Sequence, residues 1–122
     1  TGDGNVGIGM SPAYRLDICG TMRSKEWIVE DFTGCDFVFD EQYKRMNYEE
    51  KEKWFKEKKH LPGIAPAKVS DANGMKAGET LSGIIMNTEE NSLDIIDLYK
   101  QIQELKKQNE ILRNKIKKME LY

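Results

Sequence analysis

Apolar side chains follow three different rhythms along this chain, and the clearest lies in the last third. Ile95, Leu98, Ile102, Leu105, Leu112, Ile116 and Met119 recur at alternating intervals of three and four, with Asn109 as the single polar member of the series. This is a heptad seam, with Ile95, Ile102, Asn109 and Ile116 at position a and Leu98, Leu105, Leu112 and Met119 at position d. Extended upstream, the same register places Leu81 and Thr88 at a, and Ile84 and Asn91 at d. Gly83 and the cap-like run Asn87-Thr88-Glu89-Glu90 weaken that upper part and predict a helix that restarts near Asn87. Unbroken from Leu81 to Met119, the helix would span ~58 Å at ~1.5 Å per residue. Residues 79–122 are therefore predicted to form a parallel coiled coil.

The first rhythm has a period of two. In Val6-Gly7-Ile8-Gly9 apolar residues alternate with glycine, and Leu16 and Ile18 alternate again after the turn signal Ser11-Pro12. Gly20 breaks the pattern, and Met22 to Val29 resumes extended character. Short strands with so little side chain to bury suit a shaft or prism in which several chains lend strands to a common core. This β region covers residues 1–31, and its opening in mid-pattern at Thr1-Gly2-Asp3-Gly4 predicts more chain upstream.

Between them, residues 32–78 read as a small α/β region. Cys35 to Asp40 alternates and predicts a strand with Phe37 and Phe39 pointing inward. Asn47 is a predicted N-cap for a helix from Tyr48 to about Lys59, with Glu49 and Glu50 in its first turn and Leu61-Pro62-Gly63 as its terminator. Tyr48, Trp54 and Phe55 form an aromatic face expected to lie on the strand. The stretch from Ala65-Pro66 to Asn73-Gly74 carries turn chemistry and predicts a polar connector.

Composition adds the reason for assembly. Charged residues make up 33% of the chain and the apolar set only 39%, a lean supply for a self-contained globule of 122 residues. The formal net charge is −2 with signs interspersed, which argues against nucleic acid or an anionic membrane surface as partner. No apolar run reaches the roughly 20 residues that would insert into a bilayer. Cys19 and Cys35 form no metal-type pair, and His60 is the single histidine, so no metal or other cofactor is expected. The cysteines read as small half-buried apolar side chains, with a disulfide as the alternative.

The number of strands stays open on spacing alone. Ile at a with Leu at d favours two, as does a lone Asn at a. Tyr99, Gln101, Lys106, Gln108, Arg113 and Lys115 at e and g provide no oppositely charged rungs to secure a dimer, and Thr88 and Asn91 suggest a wider seam.

Gly4-Asn5-Val6-Gly7-Ile8-Gly9, Ser11-Pro12, Arg15-Leu16-Asp17-Ile18 and Gly20-Thr21-Met22-Arg23 together resemble a repeat found near the C-terminal ends of phage tail-fibre and tail-spike proteins and related bacterial surface proteins. Asp36-Phe37-Val38-Phe39, Tyr43-Lys44, His60-Leu61-Pro62-Gly63-Ile64, Asn73-Gly74, Gly78-Glu79 and the helical stretch Glu89 to Leu98 resemble the C-terminal module that follows it. More distantly, the whole is similar to the intramolecular chaperone domain of endosialidase-type tail spikes. The resemblance implies an intertwined homotrimer of α+β class whose helical end registers three chains, in an extracellular setting as part of a virion or a cell surface. Some members of that family cut themselves at a serine opening the domain. Here only Arg23-Ser24-Lys25-Glu26 stands in for that motif, and no spacing supplies Ser24 with a base, so no enzyme is expected.

The sequence thus predicts a structural trimerisation and folding-registration module whose seam comprises Ile84, Ile95, Leu98, Ile102, Leu105, Asn109, Leu112, Ile116 and Met119. Two alternatives stand beside it. One is a receptor-recognition tip that grips cell-surface glycan through Tyr43, Tyr48 and Trp54; the other is an autoproteolytic chaperone acting through Ser24.

Overall fold

The computed structural model describes residues 2, 4–30, 34 and 36–121. It is a mixed α+β chain with a two-stranded sheet near its start and a long helix at its end.

Strands β1 (Val6–Ile8) and β2 (Leu16–Ile18) pair in parallel, with Val6 opposite Leu16 and Ile8 opposite Ile18. A parallel pair usually needs a connection of about a dozen residues or more. Here residues 9–15 suffice, because the chain folds back as an arch: Gly9 takes φ +76°, and a Cβ on Gly7 would lie 2.1 Å from the Met10 carbonyl oxygen and 2.8 Å from the Pro12 ring. Glycine is required at both places. Val6, Ile8 and Leu16 remain exposed, so the apolar side of this arch is uncovered by its own chain. The period-two reading therefore holds for Val6–Ile8 and Leu16–Ile18. It does not extend to residues 21–30, which form no strand among the described residues and leave Trp27 and Ile28 exposed. An extended segment needs a ladder partner, and a single chain offers none there. Cys19 is exposed and free, not half-buried as its composition class suggested. Cys35, and with it the disulfide alternative, lies outside the described residues.

The predicted strand around Phe37 is instead a 3₁₀ turn, η1 (Asp36–Phe39), and its polarity is inverted. Val38 is buried at 2% exposure while Phe37 and Phe39 are largely exposed. η1 packs on the long helix, and in a turn of this pitch it is the residue between the two rings that is buried, so alternation could not foretell the inside.

Helix α1 (Tyr48–Lys58) starts where the sequence places it. The Asn47 side chain accepts from the Glu50 N–H at 2.8 Å, and the Glu50 carboxylate accepts from the Asn47 N–H at 3.0 Å, a reciprocal capping box. Lys59 ends it in the left-handed conformation at φ 57°. The expected connector beyond it is partly helical: α2 (Ala67–Asn73) follows Pro66, whose fixed φ suits a helix start, and Gly74 at φ 78° closes it. The turn residues punctuate a short helix and do not replace one.

Helix α3 runs without a break from Ala77 to Glu120, ~66 Å at ~1.5 Å per residue. No restart occurs at Asn87. Its side-chain amide, which would have capped a new helix, donates instead to the Gly83 carbonyl one turn back at 2.7 Å and to the Pro62 carbonyl at 2.9 Å. No helix among the described residues is long and apolar enough to cross a membrane.

Candidate functional site

The long helix carries two stripes of different character. One, at heptad positions a and d, is apolar; the other, at c and g, is polar, and the middle of the chain packs on the face centred on it. Gly83, Asn87, Glu90, Asp94 and Asp97 lie along α3 at intervals of four, three, four and three, and so share a face.

Backbone closeness sets the upper end of the attachment. A Cβ on Gly83 would lie 2.6 Å from the Gly63 carbonyl oxygen and 2.7 Å from Ile64 Cγ1, so the loop after α1 rests directly on the helix backbone. Gly63 itself sits at φ +76°, a conformation that L side chains rarely adopt. Asn87, buried beside this crossing, places both N–H bonds of its amide on carbonyls, as a buried amide must.

Charge and hydroxyl chemistry take over below. Tyr43 donates to Glu90 Oε1 at 2.6 Å, and its ring meets Phe37 edge-on at 5.3 Å, which ties η1 to the same helix turn. That hydrogen bond, reinforced by desolvation and by the Glu90 charge, pushes the Tyr43 hydroxyl up to about 12 from its ordinary value near 10. Arg45 and Lys51 converge on the two carboxylate oxygens of Asp94, one each, from positions partly shielded from water. Tyr48 donates to Asp97 Oδ2 at 2.9 Å, with the Asp94 carbonyl oxygen a longer acceptor at 3.2 Å. Desolvation, then the bond to Asp97, raises the Tyr48 hydroxyl as well.

The a/d stripe has the opposite character. Leu81, Ile84, Ile95, Leu98, Ile102, Leu105, Leu112, Ile116 and Met119 are all exposed, from 45% at Leu98 to 75% at Met119. Nothing in the described chain folds onto them. The seam residues anticipated from the heptad therefore lie on one continuous face, and the chain's own attachments avoid it. Asn109 is exposed within that face as well.

The three aromatic residues considered for glycan are not gathered into one platform. Tyr43 and Tyr48 turn their hydroxyls to α3, whereas Trp54 donates to the His60 carbonyl at 2.9 Å, with the His60 ring edge-on at 5.9 Å and the Lys58 ammonium 5.9 Å from its centroid. No ring contact joins the three among the described residues. The expectation that Tyr48, Trp54 and Phe55 lie on a strand gives way accordingly: the strand is a turn, Phe55 is exposed, and Tyr48 is bound to a helix. Ser24 lies exposed in a stretch without regular structure. Among the described residues no three His, Cys, Asp or Glu side chains converge to hold a metal ion.

Sequence reasoning missed the polar stripe altogether. Its signal was present, since Asn87, Glu90, Asp94 and Asp97 keep the heptad spacing. Polar residues on a helix nevertheless read as a solvated face unless their partners are known, and those partners stand more than forty residues away for Tyr43, Tyr48, Arg45 and Lys51. Compared with protein-family models, curated proteins and solved structures, the chain matches none.

Proposed function

We propose that this chain is the C-terminal trimerisation and folding-registration module of a phage tail fibre or bacterial surface adhesin, acting outside the cell and without catalysis. One observation carries the reading. The chain attaches its middle region to α3 on the face centred on the c and g stripe, with Met86 at f beside it, and leaves the apolar a and d stripe bare along about 40 residues of helix. A lone helix with such a face is not stable in water; packing of a and d against copies of itself removes that face from solvent.

The glycine-rich start supports the same reading. Strands of three residues with an exposed apolar side specify their register weakly, and a neighbouring coiled coil, built from local contacts, forms faster than any shaft of paired strands. The helix would then align the chains before the strands pair. Three copies, and not two, are favoured by the resemblance of the whole chain to tail-fibre modules and by e and g positions that hold no matched set of oppositely charged rungs, Lys115 with Glu120 being a single one.

Light scattering on the purified chain tests this. The expected mass is three times 14.1 kDa. A mass of two chains would retain the coiled coil and remove the trimer, and a monomer at micromolar concentration would remove both.

A further inference from the structure

Between the segment 43–47, the start of α1 and α3 lies an open depression of about 250 Å³ whose lining includes Arg45, Met46, Tyr48, Asp94 and Asp97. It is large enough for one aromatic side chain. Its position relative to the seam is set by the heptad: Asp94 holds a g position, immediately beside the a/d stripe, and Asp97 the adjoining c position.

In a parallel coiled coil the g residue of one heptad faces the e residue of the next heptad on a neighbouring helix. Opposite Asp94 that residue is Tyr99. The other rungs along α3 are Thr80 with Ile85, Asn87 with Ser92, Gln101 with Lys106, Gln108 with Arg113 and Lys115 with Glu120, none of them aromatic. Tyr99 is 60% exposed on its own chain, and its hydroxyl has no partner among the described residues.

We propose that Tyr99 of a neighbouring copy inserts into this depression, so that each middle region is held on its own helix and closed by the next chain. This rests on the parallel coiled-coil reading and deepens it. Met46 supplies an apolar wall for the ring, and the planar Arg45 guanidinium, already oriented by Asp94, offers a face on which an aromatic ring stacks. Asp97 takes hydrogen bonds from Tyr48 and Gln101 on Oδ2, which leaves Oδ1 as an acceptor for a second phenol. The contact is heterologous, e side of one chain to g side of the next, and repeats around a closed ring. It also links folding order to assembly: the pocket receives its occupant when the helices stand side by side in register, and a slip of one heptad brings Ser92 or Lys106 opposite it instead.

Disulfide trapping tests the contact in the full chain with Cys19→Ser and Cys35→Ser. Met46→Cys together with Tyr99→Cys should give covalent oligomers on non-reducing gels after mild oxidation, and neither single variant should. Leu98→Cys, at a d position, serves as the control for the seam itself. If Leu98→Cys crosslinks and the Met46/Tyr99 pair does not, the inserted tyrosine is refuted while the coiled coil stands. If Leu98→Cys also fails and light scattering shows a monomer, both are refuted. A second measurement avoids cysteine: Tyr99→Lys should weaken self-association about tenfold or more, whereas Ile111→Lys, at an outward c position beyond the depression, should leave it unchanged. Equal dissociation constants for the two variants would overturn the proposal.

Discussion

Gly83→Ala sets helix propensity directly against packing. Glycine inside a helix costs about 1 kcal/mol relative to alanine, so on a helix seen alone the substitution is stabilising. In this protein the new methyl would lie 2.6 Å from the Gly63 carbonyl oxygen and 2.7 Å from Ile64 Cγ1. One of those atoms is backbone, so relief requires the loop after α1 to withdraw by the better part of an ångström. Overpacking of this kind costs about 1–3 kcal/mol. Withdrawal also draws the Pro62 carbonyl away from Asn87, which is buried, and an unpaired buried amide N–H costs a further ~1–3 kcal/mol. Set against the gain in propensity, the attachment of the middle region should lose roughly 1–5 kcal/mol, while α3 itself gains helicity. The two effects are separable. In a Trp27→Phe background, Trp54 reports on the region beside the loop, because its indole is bound to the His60 carbonyl; far-UV circular dichroism follows the long helix. The expected result is an earlier urea midpoint by Trp54 fluorescence with an unchanged or later midpoint by dichroism. A later midpoint by both probes would mean that the glycine crossing does not hold the loop to the helix, and would refute the packing argument.

Other perturbations separate the two stripes of α3. Ile102→Lys with Leu105→Lys removes two apolar layers, each worth about 1.5–3 kcal/mol per side chain buried, and light scattering should fall to the 14.1 kDa of one chain; persistence of the oligomer would move the assembly element to the β region. Asp94→Asn leaves Arg45 and Lys51 partly shielded without a counter-charge, and should weaken attachment of the middle region by ~2 kcal/mol in the Trp54 assay without changing the oligomeric mass. In Glu90→Gln, near-UV absorbance titration should show Tyr43 falling from about 12 towards 10. The sign of its effect on stability follows: the folded value is raised, so the neutral phenol contributes stability that is fully present below about pH 10 and is lost as pH rises towards 12. Alkaline unfolding in that window should therefore shrink in the variant, and an unchanged profile would show that Glu90 does not hold Tyr43.

What could be read in the residues alone was whatever depends on neighbours in sequence. The α3 seam follows from spacing, because side chains three and four apart share a helix face whatever surrounds them. The α1 start at Asn47 follows from a capping box contained within four residues, and β1 and β2 from alternation. Even the restart expected at Asn87 was sound local chemistry. It failed because a side chain free to cap found a better use: the Pro62 carbonyl, brought within 2.9 Å by the meeting of two glycines.

The tertiary structure decided which side of each element is covered. Alternation around Val38 fits a strand with Phe37 and Phe39 inside, yet contact with α3 selects Val38, because a 3₁₀ turn presents one residue and not two to a flat neighbour. The same holds for α3. Its apolar stripe was legible, but that this stripe stays bare while Asn87, Glu90, Asp94 and Asp97 carry the attachment was not. Polar groups earn their place through partners distant in sequence, and such partners become known only when the chain has folded.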